Sequence, residues 1–137
     1  MASAVCNSFK TEVLGGTHDL DTDTIKFALY TSSASLSAST TAYSTSNEVV
    51  GTGYTAGGNT LTGAVISLDS STAIVDFTDT SWTSATITAR YGLIYNSSKT
   101  DKAIAVLDFV TDQTSTNGTF TVVFPSAAAA TAIIRLS

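Results

Sequence analysis

Alternation of apolar and polar positions is clearest between Trp82 and Phe124. Ile87, Ala89, Tyr91, Leu93 and Tyr95 fall on one side of a period-two ribbon and Thr86, Thr88 and Arg90 on the other, the signature of a half-buried strand. A polar turn, Asn96 to Asp101, follows it. Ala103 to Phe109 is a second apolar run, and Asn117-Gly118 is a turn signal that introduces a third, Thr119 to Phe124. The same reading elsewhere predicts strands at 24–31, 48–54, 60–69, 72–77 and 131–136.

A helical period occurs at the N-terminal end. Val5, Phe9 and Val13 recur at i, i+4 and i+8 with Cys6 beside them, Ser3 can cap, and Gly15-Gly16 ends the run, which predicts one short helix at about 3–14. With no long amphipathic crossover helices between the strands, the fold class is all-β: an antiparallel β-sandwich or jelly roll of about eight strands in a single domain, 1–137. The segment 32–46 is dominated by Ser, Thr and Ala without a strong period and reads as a long surface loop, with room for a turn of helix at 36–40. Ala127 to Ala130, after Pro125, reads as a connection to the last strand.

Composition changes the picture of the surface. Charged residues are 12% of 137, about half the usual share, and Ser plus Thr supply roughly a third of all positions, so exposed faces carry mostly hydroxyls. A hydrophobic content of 43% in alternating runs argues for a packed domain rather than disorder. The net charge of −5 repels phosphate backbones, so no nucleic-acid partner is expected. No apolar run approaches a membrane span, and no basic region followed by an apolar core opens the chain, so neither membrane nor secretory route is expected. Cys6 is the only cysteine, which precludes an internal disulfide and suits a reducing cytoplasm; it reads as a small apolar packing residue.

Candidate chemistry is sparse. His18 is the sole histidine, Asp19 beside it points elsewhere, and no Gly-x-Ser-x-Gly elbow is present. Asp69, Asp76, Asp79, Asp101, Asp108 and Asp112 sit near predicted strand ends, where turn-capping roles are expected and no catalytic pair stands out. Asp19, Asp21 and Asp23 alternate like the start of a calcium loop, but the sixth position is Thr24 and the twelfth is Tyr30, which breaks the EF-hand pattern and leaves a looser cation site against a capped turn. Gly51-Thr52-Gly53-Tyr54-Thr55-Ala56 has dinucleotide-loop spacing, yet Gly57-Gly58-Asn59 follows where a helix must begin; a bulged strand or wide turn is the better reading. Asn96-Ser97-Ser98 and Asn117-Gly118-Thr119 match the glycosylation sequon and are read as turns. Trp82 is read as a sheet anchor. The scattered tyrosines cover sheet edges or, in the alternative, stack on glycan. No enzyme and no cofactor is expected.

Met1-Ala2-Ser3-Ala4-Val5, Asn7 to Thr11, Asp19 to Lys26, Gly51 to Gly58 and Trp82 to Tyr91 together resemble a family of small virion proteins of tailed bacteriophages, over nearly the whole chain. The resemblance implies a structural component of the particle, some members being capsid cement or decoration proteins. The expectation is a non-enzymatic protein on the outer capsid surface, made in the host cytoplasm. It would bridge major capsid subunits as a homotrimer; a tail, baseplate or fibre component that binds host glycan is the alternative. Leu36, Tyr43 and Tyr54 are the candidate interface residues.

Overall fold

The structure, a computed structural model, describes residues 3–136; Met1 and Ala2 of the leader, and Ser137, lie outside the described residues. It is all-β. Among the described residues eight strands form two antiparallel sheets, with one short helix: β1 (Ala4–Val5), α1 (Asn7–Leu14), β2 (Ile25–Tyr30), β3 (Asn59–Thr60), β4 (Val65–Asp69), β5 (Thr72–Asp76), β6 (Thr80–Asn96), β7 (Lys102–Val122) and β8 (Ile134–Leu136). The larger sheet runs β1-β7-β6-β2-β3 and the smaller β4-β5-β8. One continuous core joins them, drawing Phe27, Trp82, Leu93 and Val106 from the larger sheet and Val75 and Ile134 from the smaller.

The β6–β7 hairpin dominates. Its pairing runs from Thr80↔Val122 to Asn96↔Lys102, closed by a turn of 3-10 helix at Ser97–Lys99 where the sequence predicts a turn. The two apolar runs expected as separate strands, 103–109 and 119–124, belong largely to a single strand, since β7 continues unbroken to Val122. Asn117-Gly118 therefore makes an irregularity inside β7 rather than a turn between strands: Asn117 has φ 47° and the register shifts between Ala85 and Ile87. A second positive φ, 47° at Ser84, accompanies a shift between Trp82 and Ala85. That extra residue resets the alternation, so that Trp82, Ala85, Ile87 and Ala89 all face inward although strict period two would turn Trp82 out.

Three further expectations are corrected. The helix predicted at 3–14 begins at Asn7: Ala4 and Val5 pair with Val106 and Ala105 as an added strand, and Ser3 accepts a hydrogen bond from Asp108 N–H on its Oγ instead of capping a helix. A four-residue apolar spacing cannot distinguish one helical turn from two strand residues beside a sheet edge. The strand predicted at 48–54 is a loop carrying one bridge, Tyr30↔Glu48, because glycines at 51, 53, 57 and 58 fold it back over β6 and β2. The run 60–69 divides at Gly63 (φ 65°) into β3 and β4. The 32–46 segment is a loop as expected, with a turn from Ser37 to Thr40 and a bridge at Ala42.

Aromatic rings cluster in the core on the larger sheet. Phe27 packs against Trp82 (6.3 Å between centroids) and edge-on to Phe124 (5.7 Å), and Trp82 meets Phe120 and Tyr54. Gly92 allows this arrangement, since a Cβ there would lie 2.2 Å from the Phe27 ring. Trp82→Ala is therefore expected to destabilise the fold by about 3–5 kcal/mol, the cost of deleting a buried aromatic side chain. Urea denaturation followed by circular dichroism measures it; a loss under about 1 kcal/mol would show that Trp82 does not anchor the sheets.

Candidate functional site

Four constellations collect the polar and exposed groups. The first surrounds Glu48, a buried carboxylate. The Tyr54 hydroxyl (2.6 Å) and Gly57 N–H (2.7 Å) donate to its Oε1, and the Tyr43 hydroxyl donates to Oε2 (2.6 Å). Tyr54 also accepts from Leu29 N–H, and the Tyr95 hydroxyl donates to the Gly57 carbonyl (2.7 Å) while its ring stacks on Tyr43 at 4.6 Å. Three donors around a carboxylate, two of them hydroxyls, are the hydrogen bonding that burial of a charge requires. The arrangement ties the loop of residues 43–58 to β2 and β6. Its hydroxyls face inward: Tyr30 donates to the Ser44 carbonyl, and Tyr43, Tyr54 and Tyr95 are engaged as above. The alternative of exposed tyrosines stacking on glycan finds no support at these four residues. Tyr43, Tyr54 and Leu36 are each partly buried, packed against the core.

The second is a chain of polar groups from α1 to the hairpin turn. Asn96, fully buried, accepts from Ser98 N–H on Oδ1, which orients its amide. Nδ2 donates to Asp23 Oδ2 (2.8 Å) and lies 3.1 Å from His18 Nδ1, so His18 accepts there and its Nε2–H donates to Glu12 Oε1 at 3.1 Å. Lys102 closes on Glu12 at 3.5 Å and Lys99 on Asp23 at 3.9 Å. His18 is thus held by two partners, in a linkage between helix, loop and turn. Neither ring nitrogen is left for a nucleophile.

Asp19, Asp21 and Asp23 divide between roles. Asp23 accepts from Asn96 and from Asp19 N–H; these bonds, with Lys99 nearby, hold its carboxyl below the usual carboxylate range. Contact between Asp19 and Asp21 lowers the first and raises the second. Asp23 faces the hairpin turn, and among the described residues no group of three His, Cys, Asp or Glu side chains is placed to hold a metal ion. Cys6 is buried, and burial followed by repulsion from Glu12 pushes its thiol up to about 11, which suits packing rather than reaction.

The third is an open cleft of about 980 Å³ between β7 and the C-terminal segment, lined by Lys10, Asp108, Gln113, Thr121 and Arg135 among others. The fourth is a pair of free sheet edges, which sequence reasoning missed. From Val110 to Thr119, β7 lies at the edge of the larger sheet, exposed along most of its length and rich in Thr, Ser, Asn and Gln. Strand β4 lies at the edge of the smaller sheet, and each of its five residues is exposed. An alternating run in the sequence does not say which strand ends a sheet.

Comparison with family models, with curated proteins and with solved structures finds no match for this chain.

Two expectations follow. Burial raises Tyr30, Tyr43 and Tyr54, and lifts Tyr95 to about 12, so the folded state keeps tyrosine protons that the unfolded chain releases near pH 10. Between those values the native state binds more protons, and stability, intact below pH 10, falls as pH rises toward 12. Melting temperature against pH should drop over that window, less steeply in Tyr54→Phe; a flat profile to pH 12 would show that these hydroxyls ionise freely. With Asp23 turned to Asn96, adding EDTA should leave the melting temperature unchanged. A drop of several degrees, reversed by calcium, would instead show that Asp19, Asp21 and Asp23 hold a cation.

Proposed function

We propose that this chain is a non-enzymatic structural protein of a bacteriophage virion, a cement protein that bridges major capsid subunits on the outer surface of the head. The observation that carries the reading is the free edge of β7 from Val110 to Thr119, a hydroxyl-rich and weakly charged strip on a long two-stranded ribbon. Its one charged residue, Asp112, pairs with Arg90 at 3.0 Å within the ribbon itself. Such a strip offers donors and acceptors without the desolvation cost of charges, which suits the polar contacts of an interface between subunits. The resemblance to small virion proteins supports the same reading, and the acidic net charge suits the outside of a DNA-filled shell. A homotrimer at local three-fold positions is the assembly that goes with it, each copy adding modest affinity that the lattice multiplies.

The polar cleft beside Arg135 and Gln113 favours a second reading, a tail or fibre component that takes host glycan. One experiment separates the two. Particles lacking the protein should assemble and adsorb normally but release DNA at lower temperature, because binding to the finished shell stabilises it by mass action. Normal thermal release with lost adsorption would favour the tail reading. Absence of the protein from purified virions would remove both.

A further inference from the structure

These two free edges are built differently. Edge strands invite pairing with another chain, and proteins blunt them with bulges, charges, proline or a covering segment. The edge of β7 carries such a device: a positive φ at Val110 (71°) and at Asn117 (47°), and register shifts between Ala89 and Tyr91 and between Ala85 and Ile87. Strand β4 carries no bulge or positive φ along its length, and its one charge, Asp69, stands at its end, where it accepts from Ala129 N–H. Its pairing with β5 is regular from Val65↔Asp76 to Asp69↔Thr72, it has no Lys, Arg or Pro, and Val65, Ile66 and Leu68 are 57%, 52% and 69% exposed. Ile66 and Leu68 continue an apolar face with Ala73, Val75, Ile134 and Leu136, since Ile66 pairs Val75, Leu68 pairs Ala73, and these pair Ile134 and Leu136.

The strand is complementary to itself. In an antiparallel pair centred on Ser67, Ile66 lies opposite Leu68 of the second copy and Leu68 opposite its Ile66, while each Asp69 lies opposite a Val65. Apolar side chains meet apolar ones on one face, and the only charge in the strand never faces its like. We propose that β4 is a two-fold pairing site for a second copy of this chain, joining the two smaller sheets into one six-stranded sheet with an isologous interface. The contact does not rest on the virion reading, and it leaves the rest of the surface available for a three-fold contact. Should both form, β4 links one trimer to the next.

The register gives a specific test on the purified protein. Ser67→Cys places two thiols directly opposite each other, with Cβ atoms about 5 Å apart, and should yield a covalent dimer as the main product of mild oxidation. Val65→Cys places them four residues out of register, roughly 14 Å apart, and should remain uncrosslinked. The native thiol, Cys6, is buried and does not compete. Leu68→Lys, at an exposed site, should weaken dimerisation by about 30-fold in sedimentation equilibrium while circular dichroism shows an unchanged fold. Absence of the Ser67 crosslink, equal crosslinking at both positions, or a dimer indifferent to Leu68→Lys overturns the proposal.

Discussion

Antiparallel pairing of β6 with β7 is the constraint on which the rest of this structure depends. β2 pairs with β6 from Tyr91 to Asn96, β1 adds to β7 at Ala105 and Val106, and α1 follows directly from β1, so the larger sheet grows outward from one hairpin. Half of the buried side chains of the core, from Trp82 to Val122, are set by its register. Its irregularities are integral to that design. The shifts near Ser84 and Asn117 let both ends of a long ribbon present apolar residues to one core, where an unbroken period of two would turn half of them to water.

Buried polar groups then fasten the irregular segments to this frame. Glu48 gathers Tyr43, Tyr54 and Gly57 and so holds a glycine-rich loop over β2 and β6. Gly58 permits the approach: a Cβ there would lie 1.8 Å from the Phe27 carbonyl oxygen. At the last residue of β6, Asn96 performs the same service for the helix and the acidic turn through His18 and Asp23. Satisfied networks of this kind fix one conformation, because breaking any member leaves a desolvated partner behind. The few chemically conspicuous residues of the chain, its one histidine and several of its tyrosines and carboxylates, are consumed in this way. Exposed among the described residues are, by contrast, a hydroxyl-rich strand edge and a small apolar strand.

Sequence alone determined the all-β class, the strands at Ile25–Tyr30, Thr72–Asp76 and over 86–96 of β6, and the turn at Asn96 to Asp101, because alternation and turn residues are local properties of the chain. The broken calcium pattern at Asp19 to Thr24 was equally legible, as a departure from a fixed spacing. Tertiary structure alone decided that two apolar runs join into β7, since only β6 running alongside carries the strand through the irregularity at Asn117-Gly118 instead of letting it turn back. It also decided that Ala4 and Val5 form a strand, because the edge of β7 supplies hydrogen bonds that no local signal announces. The partners of Glu48 come from positions 43, 54 and 57 of a loop whose path depends on β2 and β6, so no local signal announces that this carboxylate is buried. Which edges stay open is likewise a property of strand order, and strand order is set by long-range pairing rather than by any residue's own preference.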